Sequence, residues 1–314
     1  MWWSRLHLAV VFGVALSLTG DAAQVVQRPW PLGVQQVPDD SPPLPPDAAM
    51  KTFSMPPGYR LELVASEPLI QDPILIDFDA DGRLWAIEMP AFHNPDVRSE
   101  KEREPLCRVV VLEDRDDDGK MDRRTVFLDG LVLARALKVL NDGVLIGEPP
   151  NLWFARDTNG DLKADTKELV TNTYGRLDAN PEHNANTLLW AMDNWLYTSE
   201  HDGYLRRKNG RFELAPTAPR GQWGATQDDA GRVYRNTNSA ALFVDVVPTR
   251  YFLRNPHLAR TRGMYESLSD GDVNTVWPVR PNRGVNRGYQ TGVLREDGTL
   301  ARYTAVGAPT TILL

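Results

Sequence analysis

Cysteine is all but absent: Cys107 stands alone among 314 residues. A single thiol excludes an intramolecular disulfide framework, a cysteine-based zinc cluster and a CxxCH haem attachment, so no haem is expected on this chain. A basic surface is lacking too. Lys plus Arg number 35 against 42 Asp plus Glu, a net charge of −7, whereas a dedicated nucleic-acid binder needs a positive surface. No nucleic-acid partner is expected. GxSxG, HExxH, the P-loop and GxGxxG are all missing. No window shows clear helical period over more than three turns. One apolar run stands out for its length, at residues 8–18.

That run, LAVVFGVALSL, follows Arg5 and precedes Gly20, Asp21, Ala22 and Ala23. A basic start, an apolar stretch of roughly 7–15 residues and small residues at the end describe a secretory signal peptide. A spanning helix needs about 20 apolar residues. Residues 1–23 are therefore expected to be a signal peptide and the protein to be exported, to the periplasm or the cell surface. The alternative is an uncleaved N-terminal membrane anchor, which Trp2 and Trp3 would suit. Seven prolines between Pro29 and Pro46 make residues 24–52 a stiff, extended linker. The folded domain is expected over 53–314.

What is present is a succession of short apolar runs broken by Asp, Asn and Gly. RLELVA (60–65) alternates, and ILIDF (74–78), RLWAIE (83–88), CRVVVLE (107–113) and VLIGE (144–148) have strand length. A repeat runs through them: DADGRLWAIE (79–88), LNDGVLIGE (140–148), AMDNWLYTSE (191–200), DDAGRVYRN (228–236) and REDGTLARY (295–303). Each is an acidic or Asn turn followed by a small strand. The markers Gly82, Gly143, Asn194, Gly231 and Gly298 recur at an irregular period of about 40–60 residues, as propeller blades with variable insertions do. The fold class expected is all-β, a β-propeller of short four-stranded blades, in preference to a β-sandwich. The chain stops just after a strand-like segment, so the propeller is expected to be incomplete at its C-terminal end.

Two loops gather oxygen ligands. Asp114, Asp116, Asp118 and Asp122 stand at positions 1, 3, 5 and 9 of one, and Asp157, Asn159, Asp161 and Asp165 at those positions of the other, with Glu168 at position 12. Alternate oxygens converging on one hard cation are what calcium requires. The simpler alternative is a pair of solvated hairpin turns. Crowded carboxylates repel without a cation, so calcium is the expectation. His183 stands just before a predicted strand, where histidine can act as a base for an alcohol proton. On spacing alone, the preferred reading is that His183 and Asn184 hydrogen-bond a turn. His93, His201 and His257 have no partner at ligand or triad spacing. Arg280, Asn282, Arg283, Asn286, Arg287 and Tyr289 could meet an anionic ligand or form a solvated loop.

The stretches PPGYRLELVASEPLIQDPILIDFDADGRLWAIEM, VVVLEDRDDDGKMDRRTVFLDGL (109–131), PPNLWFARDTNGDLKAD and NRGYQTGVLREDGTLARYTA (286–305) together resemble the propeller domains of a membrane-bound dehydrogenase family, also described as PVC-type haem-binding proteins. The resemblance covers nearly all of the chain after the linker. It extends distantly to soluble glucose and sorbosone dehydrogenases, which use pyrroloquinoline quinone (PQQ) and calcium. There a histidine before a HxGG…GPDGxLY segment takes the substrate hydroxyl proton. Here the stretch is HNANTLLWAMDNWLY, so the resemblance places His183 at that position. Ala185-Asn186 replace the paired glycines, and Ala191-Met192-Asp193-Asn194 the GPDG turn. The resemblance implies an exported dehydrogenase that oxidises a sugar or polyol with a quinone and passes electrons to a partner cytochrome c. It also implies that the propeller continues beyond this chain. The alternative is a non-catalytic, calcium-stabilised propeller that binds glycan or protein.

Overall fold

The computed structural model describes residues 43–53, 55–90, 103–181, 183–258, 261–268, 275–276, 290–304 and 306–310. The apolar run 8–18, most of the proline-rich linker, His93 and the cluster 280–289 lie outside them. Strands dominate. Among the described residues there are two short α-helices, α1 (Pro46–Met50) and α2 (Thr249–Phe252). Among the described residues no helix is long and apolar enough to cross a membrane.

The described strands form four antiparallel sheets of four, each in chain order. Blade 1 is β1 (Pro73–Phe78), β2 (Leu84–Glu88), β3 (Cys107–Glu113) and β4 (Arg123–Leu131). Blade 2 is β5 (Ala136–Leu140), β6 (Gly143–Glu148), β7 (Asn151–Arg156) and β8 (Thr166–Thr171). Blade 3 is β9 (Asn186–Trp190), β10 (Leu196–Ser199), β11 (Gly203–Lys208) and β12 (Arg211–Pro216). Blade 4 is β13 (Thr226–Gln227), β14 (Val233–Thr237), β15 (Ala240–Asp245) and β16 (Glu266–Ser267). Successive meanders of this kind, packed face to face, are a propeller-like arrangement.

The middle strands are apolar without alternation because both faces of a blade are covered. Val109 and Val111 of β3 pack with Leu137, Val144 and Ile146 of blade 2. Val110 and Leu112, one residue out of phase, pack on the opposite face with Ile70, Ala65 and Leu69. Leu145 turns instead towards Leu188, Leu196 and Leu205 of blade 3. The core is thus a series of layers between blades.

The repeat markers fall where each first strand turns into its second. Gly82, Asn194 and Gly231 adopt φ of 81°, 63° and 79°, a region glycine and asparagine enter most cheaply. The acidic residue before each marker has a structural task. Asp79 accepts the N–H of Asp81 and Arg83 and the Trp85 indole N–H at 2.9 Å. Asp228 likewise accepts the N–H of Ala230 and Arg232 and the Tyr234 hydroxyl at 2.8 Å. The aromatic at a fixed offset is therefore a hydrogen-bond partner of the turn.

Two segments depart from the sequence pattern. RLELVA forms no strand: it crosses the outer face of blade 1 with one bond to it, from Met121 N–H to the Val64 carbonyl. REDGTLARY makes isolated bridges, Leu294 with Leu300 and Thr275 with Arg302.

Candidate functional site at the strand-entry end

In an up-and-down meander, the start of the first strand lies at the same end as the turn from the second strand to the third. Ser199, at the end of β10, pairs with Asn186, at the start of β9. This entry end collects Arg135, just before β5, His183, just before β9, and Glu200, just after β10. The first-to-second turns and the third-to-fourth loops lie at the opposite, exit end.

The segment carrying His183 is held by asparagines. The Asn184 side chain accepts the N–H of Arg176 at 3.0 Å and of Ala185 at 2.9 Å, and donates to the Arg176 carbonyl at 2.6 Å. Asn186 donates to the Asn184 and Gln222 carbonyls and accepts the Gly224 N–H at 3.1 Å. His183 closes the turn with its backbone N–H to Asn180. Its imidazole stays 43% exposed, with Nδ1 4.0 Å from a Glu200 carboxylate oxygen. The backbone is strained on both sides: Thr187 has φ 70° and Glu200 φ 53°. For residues with a side chain each such conformation costs roughly 1–3 kcal/mol, and such strain collects at functional sites.

Arg135 lies beneath. It is 1% exposed, donates from Nη1 to the Pro181 carbonyl and sits 4.8 Å over the Trp223 ring. Its Nε and Nη2 are buried without a hydrogen-bond partner among the described residues. Burial pulls the guanidinium down to about 10, against the charges of Tyr174 and Glu200. Burial likewise pushes the Glu200 carboxyl up, against the charges of His183 and Arg135. Tyr174, fully buried, donates to the Thr187 carbonyl at 3.0 Å, and His201 packs edge-on to it at 5.1 Å.

Glu200 is unusual against its own repeat. Glu88 and Glu148 end the second strands of blades 1 and 2, and each latches its blade. Glu88 accepts the N–H of Gln71 at 2.9 Å and the Arg124 guanidinium at 2.9 Å. Glu148 accepts the N–H of Val132 at 2.7 Å, the Trp153 indole N–H at 2.7 Å and the Lys167 ammonium at 3.2 Å. The cation is the second residue of the outermost strand each time, opposite Leu112 in blade 1 and Ala155 in blade 2. In blade 3 that register, opposite Arg207, holds Phe212. Without the cation, the Glu200 carboxylate faces His183. Glu200 entered the sequence reading only as the end of a repeat, and Arg135 not at all. Phe212 in place of a basic residue was the available signal.

The acidic loops lie at the exit end, away from His183. In the first, Asp114, Asp116 and Asp118 bring one oxygen each within 4.8 Å of one another. The Asp118 carboxylate beside Asp116 pushes the latter's carboxyl above its usual range. Asp122 is drawn aside to Arg115 at 2.9 Å. This oxygen-only donor set fits a hard cation. Backbone amides cap both loops from within: Asp114 accepts the N–H of Asp118 and Gly119, and Asp118 that of Lys120, and the second loop is held in the same way. Asp157 accepts the N–H of Asn159, Gly160 and Leu162, and Asn159 and Asp161 each cap the amide two residues on. Asp165 accepts the Thr158 N–H and hydroxyl. Glu168 lies in β8, paired with Arg156 at 3.0 Å. Among the described residues no three carboxylates of this loop bring an oxygen each within 4.8 Å of one another, while the Asn159 amide donates to Asp165 at 3.1 Å.

Four-stranded blades with a half-exposed histidine and a buried arginine at the entry end define a propeller-like domain with a polar entry-end site. The chain belongs to the family described as a domain of unknown function (DUF7133), whose model matches residues 45–312. No curated protein matches it. Among solved structures it is similar to the holo form of the pyranose dehydrogenase PQQ domain from Coprinopsis cinerea, with 10% identity and a TM-score of 0.41, over 60% of this chain and 49% of that one. The chain therefore spans about half the length of that domain.

Proposed function

We propose that this chain is the propeller of an exported dehydrogenase that oxidises a sugar or polyol, with His183 taking the substrate hydroxyl proton. The observation that carries this reading is the half-exposed His183 imidazole facing a carboxylate freed from its structural duty, 4.0 Å away. Nδ1 turned to Glu200 leaves Nε2 for a substrate hydroxyl. Glu200 would hold the ring and stabilise it once protonated, as carboxylates behind catalytic histidines do.

The residues present fit an acceptor-rich, planar quinone such as PQQ. Arg135 keeps two buried donors without partners among the described residues, and the Trp223 ring offers a flat surface beside them. Arg135 and Trp223 are the residues that would hold it. When bound, PQQ supplies the two-electron acceptor for the oxidation, and a partner cytochrome would take the electrons onward. Titrating the protein with PQQ and following tryptophan fluorescence should give saturable quenching that Trp223→Leu abolishes. A folded protein that shows no quenching would remove the quinone from this reading.

Calcium at Asp114, Asp116 and Asp118 would act at the exit end, as a hairpin brace rather than a part of the His183 site. Calcium at about 100-fold its Kd should raise Tm of chelator-treated protein by about 5 °C, and Asp116→Ala should remove the rise. An unchanged Tm would make the loop a plain turn.

A further inference from the structure

The exit end carries a second site. Two clefts of about 490 and 510 Å³ meet there, and Leu140, Asn141, Asp142 and Trp190 line both. Each volume is within the range of small-ligand sites. Trp190, at the end of β9, is 46% exposed, and Phe78, across the larger cleft, is 52% exposed. Leaving an indole in water forgoes a large apolar burial, which a ligand seated on this open wall would recover.

The charges around these clefts are largely committed. Lys138 is paired with Asp77 at 2.9 Å, Arg206 with Glu213 at 2.6 Å, Arg207 with Asp142, and Arg83 with Asp79 at 3.1 Å. Asp157 is occupied by three backbone amides. The side-chain amides of Asn141, Asn194 and Asn209 are exposed on the lining and have no hydrogen-bond partner among the described residues. An open aromatic face edged by neutral amides and by charges that are mostly paired with one another suits a ligand that is uncharged, rich in hydroxyls and apolar on one face. An aldose ring in a chain of such rings has these properties. Its C–H edges carry partial positive charge and match the negative face of indole.

We infer that the exit-end cleft binds a neutral oligosaccharide, with one ring stacked on Trp190 and its hydroxyls on Asn141, Asn194 and Asn209. This site lies at the opposite end of the strands from His183 and needs neither quinone nor turnover, so it can fail or stand apart from the dehydrogenase reading.

The test is NMR titration of the full chain with cellohexaose, xylohexaose, maltohexaose and chitohexaose in turn. The Trp190 indole N–H signal is assigned by its loss in Trp190→Phe. At least one hexaose should shift that signal with a Kd of about 0.1–1 mM. Trp190→Ala should weaken binding at least tenfold, Asn141→Ala should weaken it less, and both should keep the wild-type circular dichroism. Trp190 is half exposed, so neither change threatens the fold. Binding that Trp190→Ala leaves untouched, or none of the four hexaoses binding below about 10 mM, would overturn the assignment.

Discussion

Glu88→Gln is expected to cost about 3 kcal/mol of stability, whereas Glu200→Gln at pH 7 should cost nothing. The two positions are repeat equivalents, and the contrast comes from their partners. Glu88 is fully buried, and its carboxylate neutralises Arg124 and Arg108 while closing the entry to blade 1 through Gln71. Removing its charge leaves two guanidinium groups beside a neutral amide. Both arginines keep some contact with water, 25% and 33% exposed, which places the cost at the low end for a broken buried pair. For a domain of this size the loss corresponds to a Tm fall of about 6–12 °C.

Glu200 runs the other way. Burial raises its folded carboxyl above the ordinary value, so the ionised form is disfavoured in the fold. Its contribution to stability is full below the unfolded value and falls as pH rises through the window up to the raised folded value. Glutamine does not titrate. Glu200→Gln should therefore match wild type near pH 4 and equal or exceed its Tm at pH 7. Thermal melts of both variants from pH 4 to 8 decide the matter. A Glu200 variant that melts well below wild type at pH 7 would show Glu200 to be a latch like Glu88.

His183→Ala is expected to reduce dye-linked sugar oxidation by the PQQ- and calcium-loaded protein by roughly a hundredfold to ten-thousandfold, the range of a lost general base. The imidazole is 43% exposed, and the His183 turn is closed by its backbone N–H and by Asn184. The alanine variant should keep the wild-type melt and still quench on adding PQQ. Binding retained with turnover lost separates a base from a packing residue. Glu200→Gln should lower the rate less, since it removes the support of the ring and leaves the ring in place.

Much of the fold was legible because propeller blades write themselves locally. CRVVVLE and VLIGE are unbroken apolar runs because both their faces meet another layer, and they became β3 and part of β6. The turn markers were legible because a left-handed φ calls for Gly or Asn, and the aromatic offset because Asp79 and Asp228 must reach a ring donor. RLELVA misled, since alternation records one covered face and not a ladder of hydrogen bonds. The entry-end site was less legible. Arg135 lies in the apolar stretch LVLARALKVL, where nothing local marks a guanidinium that will be buried with two donors open. The role of Glu200 depends on Phe212, a difference visible only once the outermost strands are in register. The acidic loops share a ligand spacing, and in both of them backbone amides bond to side-chain oxygens, which spacing does not record.

The decisive experiment is dye reduction by full-length protein loaded with PQQ and calcium, assayed against a panel of sugars and polyols with His183→Ala alongside. The expected result is turnover of at least one substrate by the wild type and its loss in the variant at equal PQQ binding. Turnover that survives His183→Ala, or a folded, PQQ-loaded wild type that oxidises none of the panel, would contradict the assignment of the entry end as a dehydrogenase site.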